Sequence, residues 1–276
     1  MSPDKLQEIS NHARYLIIET IIKAGCGHPG GSLSSIDMLT ALYFKVLNID
    51  VKNQNWDERD RFILSKGHSS IGLYTILYLK GFISKEELDS FRQDGSSLWG
   101  HIDIKTDGIE VSTGSLGHGL SIGVGRALAA KIDKKDHKTY VLMGDGETQE
   151  GSVWEAAMAA SHYKLDNLIA ITDRNRIQQC GFTEDIISLE PYSKKWESFG
   201  WNIIDINGHD MQQILRAIES SHKSDKPFMI ISNTIKGKGV SFMENDNAWH
   251  GGGAIKKFEK EARAELSRYS NLDLKL

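Results

Sequence analysis

Gly144-Asp145-Gly146 directly follows an apolar run, TYVLM, and precedes ETQEG and a helical pattern. At the carboxyl end of a strand, a glycine turn lets the backbone approach a phosphate. The next helix then offers free N–H groups and the positive end of its dipole. A carboxylate in such a turn repels a phosphate unless a cation lies between them, so Asp145 points to a divalent metal bridging the acid and a diphosphate. A second oxygen ligand is expected one strand later. NLIAIT leads into Asp173-Arg174-Asn175-Arg176-Ile177, which places Asn175 30 residues after Asp145, about one β-α-β step. A carboxylate, an amide oxygen, a backbone carbonyl, two phosphate oxygens and a water make the octahedral oxygen shell that Mg²⁺ prefers. Alone, the glycine-flanked Asp reads as a strand-end turn and Asn175 as a loop cap. Their spacing favours the metal.

Four of the ten histidines neighbour glycine at element ends: His28 in CGHPGG, His68 in SKGHSS, His101 in LWGHID and His250 in AWHGGG. One loop histidine is ordinarily a surface residue. Four in glycine-rich settings suggest imidazoles that donate to phosphate or sugar hydroxyls and titrate near neutrality. His118, in GSLGHGLS, is equally readable as a polar residue at a helix end. Gly123-Val124-Gly125 lies inside a helical pattern without a preceding strand, so it is no dinucleotide fingerprint; its small residues suit close packing or approach to a ligand. KGKGVS lacks the spacing of a Walker loop, and HExxH and CxxC are absent.

The elements that must position these residues follow from periodicity. Leu6, Ile9, Ala13, Leu16, Ile17, Thr20 and Ile21 recur at helical steps, and the pattern stops at the glycines of 25–31. Ser34 and Asp37 are spaced as a capping box before IDMLTALYFKVL, and Ser84 with Glu87 as another before a short helix. RFILS, TYVLMG, NLIAIT, WNIIDI and PFMIIS read as strands, with helices at 153–163 and 211–220 between some of them. Apolar strands without polar alternation are covered on both faces. The expectation is an α/β fold: one doubly wound, mostly parallel sheet flanked by helices, in a single domain over 1–276, with a charged helical tail at 255–269.

Composition narrows the class. The chain has 276 residues, 39% apolar and 25% charged, with 26 glycines and a net charge of −4. It needs no disulfide or metal to bury a core. It carries no basic field for nucleic acid or an anionic membrane. Two cysteines, Cys26 and Cys180, give no disulfide framework and fit a reducing cytoplasm. No apolar run is long enough to span a membrane.

Taken together, GHPGGSLS, SKGHSS, TGSLGHGLS, GDGETQEGSVWEA, TDRNRIQ, FGWNIIDINGHD and TIKGKGVSFMEN with WHGG resemble, in order and over nearly the whole chain, the N-terminal, diphosphate-binding domain of transketolase. The resemblance implies a thiamine diphosphate-binding fold that transfers a two-carbon ketol unit from a ketose phosphate to an aldose phosphate. It implies Mg²⁺ or Ca²⁺ on Asp145, Asn175 and the carbonyl of Ile177, and diphosphate contacts from His68, Gly146 and His250. Gly114 and Leu116 match the segment that holds the cofactor rings. His28, His101 and His250 match residues around the reacting carbon and hydroxyls, and Glu150 a glutamate at the cofactor-proximal subunit contact. Ser115, His118, Gln179 and the Ile102–Lys105 stretch depart from common members of the family and bear on substrate preference.

The family's pyrimidine-binding and C-terminal domains are not in this sequence. The resemblance therefore implies the N-terminal subunit of a split enzyme, whose partner is a C-terminal transketolase subunit, in a heterotetramer or other self-associated assembly. Two alternatives stay open at this point. One is a subunit of another thiamine diphosphate enzyme, such as a deoxyxylulose-phosphate synthase or ketoacid-processing type. The other is a cofactor-binding homologue without catalysis.

Overall fold

A computed structural model describes residues 1–271. The first helix, α1 (Pro3–Ala24), starts on Ser2, whose hydroxyl accepts from the Lys5 N–H, and stops at Gly25, which sits at φ 74°. Glycine takes that left-handed conformation without the Cβ penalty. The next helix, α2 (Pro29–Ala41), overturns the expected cap at Ser34. Pro29 has its φ set for the first helical position, so the helix begins before Ser34 and His28 stands at its N-cap. Ser34 and Asp37 are instead buried mid-helix. The Ser34 hydroxyl donates to Asp173 at 2.6 Å, and Asp37 pairs with Arg14 and His209.

Five strands form one wholly parallel sheet: β1 (Arg61–Leu64), β2 (Thr139–Gly144), β3 (Leu168–Arg174), β6 (Asn202–Asn207) and β7 (Phe228–Asn233), in the order β1-β2-β3-β7-β6. A two-stranded ribbon that periodicity did not predict, β4 (Ile177–Gln178) with β5 (Gly181–Phe182), follows β3 and leads into the one-turn helix α7 (Thr183–Ile186). Because side chains alternate along a strand, neighbours face opposite cores. Tyr140, Leu142, Ile169, Ile171 and Ile230 pack on one side with α1, α2, α3 (Ser70–Lys80) and α9 (Met211–His222). Val141, Met143, Leu168, Ala170 and Met229 pack on the other with α5 (His118–Ile132), α6 (Gly151–His162) and α8 (Tyr192–Ser198).

The apolar strands are thus covered twice, as their composition implied. The exception is β6, at the sheet edge, where Ile203 and Ile204 are half-buried and Asp205 is exposed. Ser84 and Glu87 make the expected capping box on α4 (Lys85–Asp89). The tail helix α10 (Glu259–Leu266) buries Ala262 and Leu266 and packs on α1. Among the described residues no helix is long and apolar enough to cross a membrane.

Candidate active site

Since the strands are parallel, their carboxyl ends share one edge, the usual ligand side of an open α/β sheet. Four loops converge there: after β1 with Lys66 and His68, after β2 with Asp145 and Gly146, after β3 with Asn175 and Ile177, and after β7 with Lys236. They border a cavity of about 500 Å³. His28, His68, His101, His250, Gly114, Leu116, Asp145, Gly146, Glu150, Asn175 and Ile177 all line it. Strand register explains the meeting of the acid and the amide. Gly144 pairs with Asp173, so Asp145, one residue beyond the pair, and Asn175, two residues beyond it, leave the same edge of the sheet on adjacent strands.

Asp145 is buried, with one oxygen accepting from the Gly146 N–H at 2.8 Å. Its other oxygen accepts from the Arg176 N–H at 2.5 Å and from Arg174 Nη1 at 3.2 Å. Burial nevertheless pushes this carboxyl up, outweighing the Arg174 guanidinium. Such an acid is short of positive charge. Asn175 donates through Nδ2 to Asp173 at 2.9 Å, so its Oδ1 is held on the opposite side, where it accepts from the Ile177 N–H at 3.0 Å. The Ile177 carbonyl accepts from the Lys236 ammonium at 2.7 Å.

The four histidines form one cluster. Ring centres lie 5.0 Å apart for His68 and His250, 5.5 Å for His28 and His68, 5.7 Å for His28 and His250, and 5.9 Å for His28 and His101. Burial, then the neighbouring His101 and the cations Arg92 and Lys236, brings His28 down to about 4. Burial and Lys236 bring His250 to about 3. His68 is held well below the ordinary value by burial and Lys66, and His101 is lowered by burial and Arg92. All four are neutral at pH 7, each ring offering one donor and one acceptor.

Periodicity and motif spacing did not single out the charges behind this wall. Lys66 is buried and donates to Asp173 at 2.6 Å and to the Gly31 carbonyl at 2.7 Å. Asp173 also accepts from Thr234 at 2.5 Å, tying the ends of β1, β3 and β7 together. Glu147 accepts from the N–H groups of Gly117 (3.0 Å) and Gly144 (3.1 Å) and from Ser65, pinning the 114–117 segment to the acidic turn. The only sequence signal for Lys66 and Lys236 was their adjacency to glycine in SKGHSS and TIKGKG.

The residues present fit a diphosphate held through a hard cation. A carboxylate, an amide oxygen and a carbonyl already engaged by an ammonium ion face one cavity, with two lysines beside them. His28 Nδ1 and Gln178 Oε1, on residues that line this cavity, are buried without hydrogen-bond partners. Among the described residues no group of three His, Cys, Asp or Glu side chains could hold a metal. A divalent ion would therefore draw on the one carboxylate of Asp145, the amide, the carbonyl and the ligand's own oxygens.

Residues 5–268 match the family described as transketolase, thiamine diphosphate binding domain. The chain is 49% identical to one of the subunits of the apulose-4-phosphate transketolase of Phocaeicola vulgatus, over 97% of this chain and 95% of that protein. It is 46% identical to the 6-deoxy-6-sulfo-D-fructose transketolase subunit SqwG of a Clostridium species, over 95% of this chain and 96% of that one. Crystallised transketolase from Campylobacter jejuni superposes with a TM-score of 0.88 at 37% identity, and transketolase from Leishmania mexicana with 0.90 at 30%. Those alignments cover 98% and 97% of this chain but 46% and 43% of theirs, so the chain spans about half the length of the solved enzymes. The glycine turn, the spaced asparagine and the histidine wall thus belong to a known architecture, and this chain is a member of the transketolase family, in its thiamine diphosphate-binding domain.

Proposed function

We propose that the chain is the N-terminal subunit of a two-chain transketolase, reversibly moving a two-carbon ketol unit from an anionic ketose to an aldose. The observation that carries this reading is the shared cavity of Asp145, Asn175, Ile177 and the four-histidine cluster at the sheet's ligand edge. The subunit names borne by the relatives from Phocaeicola vulgatus and Clostridium support a separate partner. On this reading residues 1–276 form the diphosphate and metal domain, and the pyrimidine-binding and C-terminal domains belong to the other chain. The pair works in the cytoplasm as a heterotetramer or related assembly. The sugar is a phosphate, or a branched or sulfonated relative of one, as the names of the two relatives suggest.

Asp145, Asn175 and the Ile177 carbonyl hold Mg²⁺ or Ca²⁺, and Lys66, Lys236, Gly146, His68 and His250 neutralise and bind the diphosphate. Gly114 and Leu116 support the rings, and Glu150 meets the second subunit. Thiamine diphosphate, when bound, would supply a nucleophilic carbon for the transfer. His28, His101 and His250, kept neutral at pH 7, accept a proton from a sugar hydroxyl or donate one to a carbonyl oxygen as it gains charge. Purified chain alone, with cofactor and Mg²⁺, is expected to show no ketol transfer. Adding the partner should start it. Turnover by the chain alone would overturn the two-chain reading.

A further inference from the structure

His209, near the end of the stretch FGWNIIDINGHD, does not line the cavity described above, yet it touches the loop that carries Lys236. Strand β7 ends at Asn233, and the Thr234 N–H still reaches the Arg174 carbonyl at 3.2 Å. The next N–H, that of Ile235, lies past the ladder and donates to His209 Nε2 at 2.9 Å. The ring therefore carries its proton on Nδ1, which donates to Asp37 at 2.8 Å. Asp37 is fully buried and also accepts from Gln7 at 3.2 Å, from Arg14 Nη1 at 3.0 Å and from Arg14 Nη2. These donors fill its lone-pair sites, so its oxygens are used up inside the protein and serve no ligand. Arg14 in turn donates through Nε to the Lys238 carbonyl at 3.2 Å. One carboxylate, acting through His209 and Arg14, thus holds the backbone on both sides of Lys236. The Gly237 N–H adds a bond to the Gly30 carbonyl at 3.0 Å. The Lys236 stem lies along Gly30, where a Cβ would stand 3.0 Å from both its Cγ and its Cε. Backbone and stem are fixed, and only the ammonium, which donates to the Ile177 carbonyl at 2.7 Å and to His250 Nδ1 at 3.1 Å, is left to turn within the cavity. A long cation held in advance has less freedom to lose when it binds an anion.

We propose that His209 is a positioning residue for Lys236: its Nε2, oriented by Asp37, fixes the loop from which the ammonium reaches the diphosphate. This rests on the reading above, in which Lys236 binds the diphosphate, and adds to it a residue outside the cavity. Two variants separate the two sides of the ring. In His209→Asn the amide N–H overlays Nδ1 and keeps the contact with Asp37, but no atom stands at Nε2. In His209→Gln the amide oxygen overlays Nε2 and keeps the acceptor for the Ile235 N–H. The test is calorimetric titration of the two-chain enzyme with thiamine diphosphate and Mg²⁺. His209→Asn should weaken binding about threefold to tenfold, as expected for one lost hydrogen bond, and His209→Gln should stay within about twofold of wild type. At saturating cofactor, kcat and the KM for the sugars should stay near wild type in both. On a Lys236→Met background His209→Asn should weaken binding no further, because the histidine acts through that ammonium. In the cofactor-free chain the Ile235 amide should exchange with solvent faster in the Asn variant than in wild type or the Gln variant. Equal losses in the two variants, an unchanged affinity in His209→Asn, or a full further loss on the Lys236→Met background would overturn the proposal. Should His209→Asn not fold, His209→Gln decides alone, and a loss beyond about twofold counts against the proposal. A wild-type pair that binds cofactor but transfers no ketol unit would sink the functional reading, while the binding comparison still decides the role of His209. A wild-type pair that binds no cofactor would contradict both.

Discussion

At the scale of single residues, the site is governed by charges that burial makes expensive. Lys66 and Asp173 form a buried pair at 2.6 Å. Removing one partner strands the other, which typically costs about 3–5 kcal/mol. Lys66→Met is therefore expected to lower the unfolding free energy measured in urea by that much, and an unchanged value would mean the pair contributes little. The histidines give a pH signature. In the folded chain His28 and His250 titrate at about 4 and about 3, against 6.5 when unperturbed. Below pH 6.5 the unfolded chain binds protons that the folded chain refuses, so stability falls as pH drops from 6.5 toward 4. In cofactor-free chain the double variant His28→Asn, His250→Asn should show a shallower fall of Tm over that range than wild type. Parallel curves would refute the assignment.

The histidines were legible in the sequence because each stands beside glycine, and Asp145 and Asn175 because their separation matches a strand-helix-strand step. Lys66, Asp173 and Lys236 were not read from spacing. A buried ion pair joins residues distant in the chain, 107 positions apart for Lys66 and Asp173, and no local pattern encodes it.

At the scale of elements, close approach decides the geometry. In α5 a Cβ on Gly123 would meet Val141 Cγ2 at 2.5 Å, so the helix lies on β2 only because the side chain is missing. Overpacking of this kind costs about 1–3 kcal/mol. Gly123→Ala should destabilise the chain by that amount, and Val141→Ala added to it should restore part of the loss. Additive losses would show that contact is not the cause. The sequence suggested small residues for close packing here, and strands read from apolar runs fell where expected. The start of α2 did not. Ser34 and Asp37 mimic a capping box, but Pro29 sets the first turn earlier, and the two polar side chains turn inward to Asp173, Arg14 and His209. A local capping signal loses to a tertiary network that no window of sequence displays. The β4–β5 ribbon is two residues a strand, too short for periodicity to register.

At the scale of the whole molecule, the parallel sheet gathers acid, amide, carbonyl, lysines and imidazoles at one edge, while the matched solved enzymes are about twice as long. Each part has a local cause, yet their use depends on a cation joining protein oxygens to a diphosphate. Lys236 donates to the Ile177 carbonyl at 2.7 Å, so a cation on that oxygen would repel the ammonium, and its movement toward the diphosphate is the most visible rearrangement the account expects. The most direct test is diffraction from crystals of the chain with its partner, grown with thiamine diphosphate and Mn²⁺. The anomalous peak should fall about 2.0–2.6 Å from oxygens of Asp145, Asn175 and Ile177, the range for hard cations, with Lys236 moved off the carbonyl. A peak away from these three oxygens, with cofactor bound, would contradict the account.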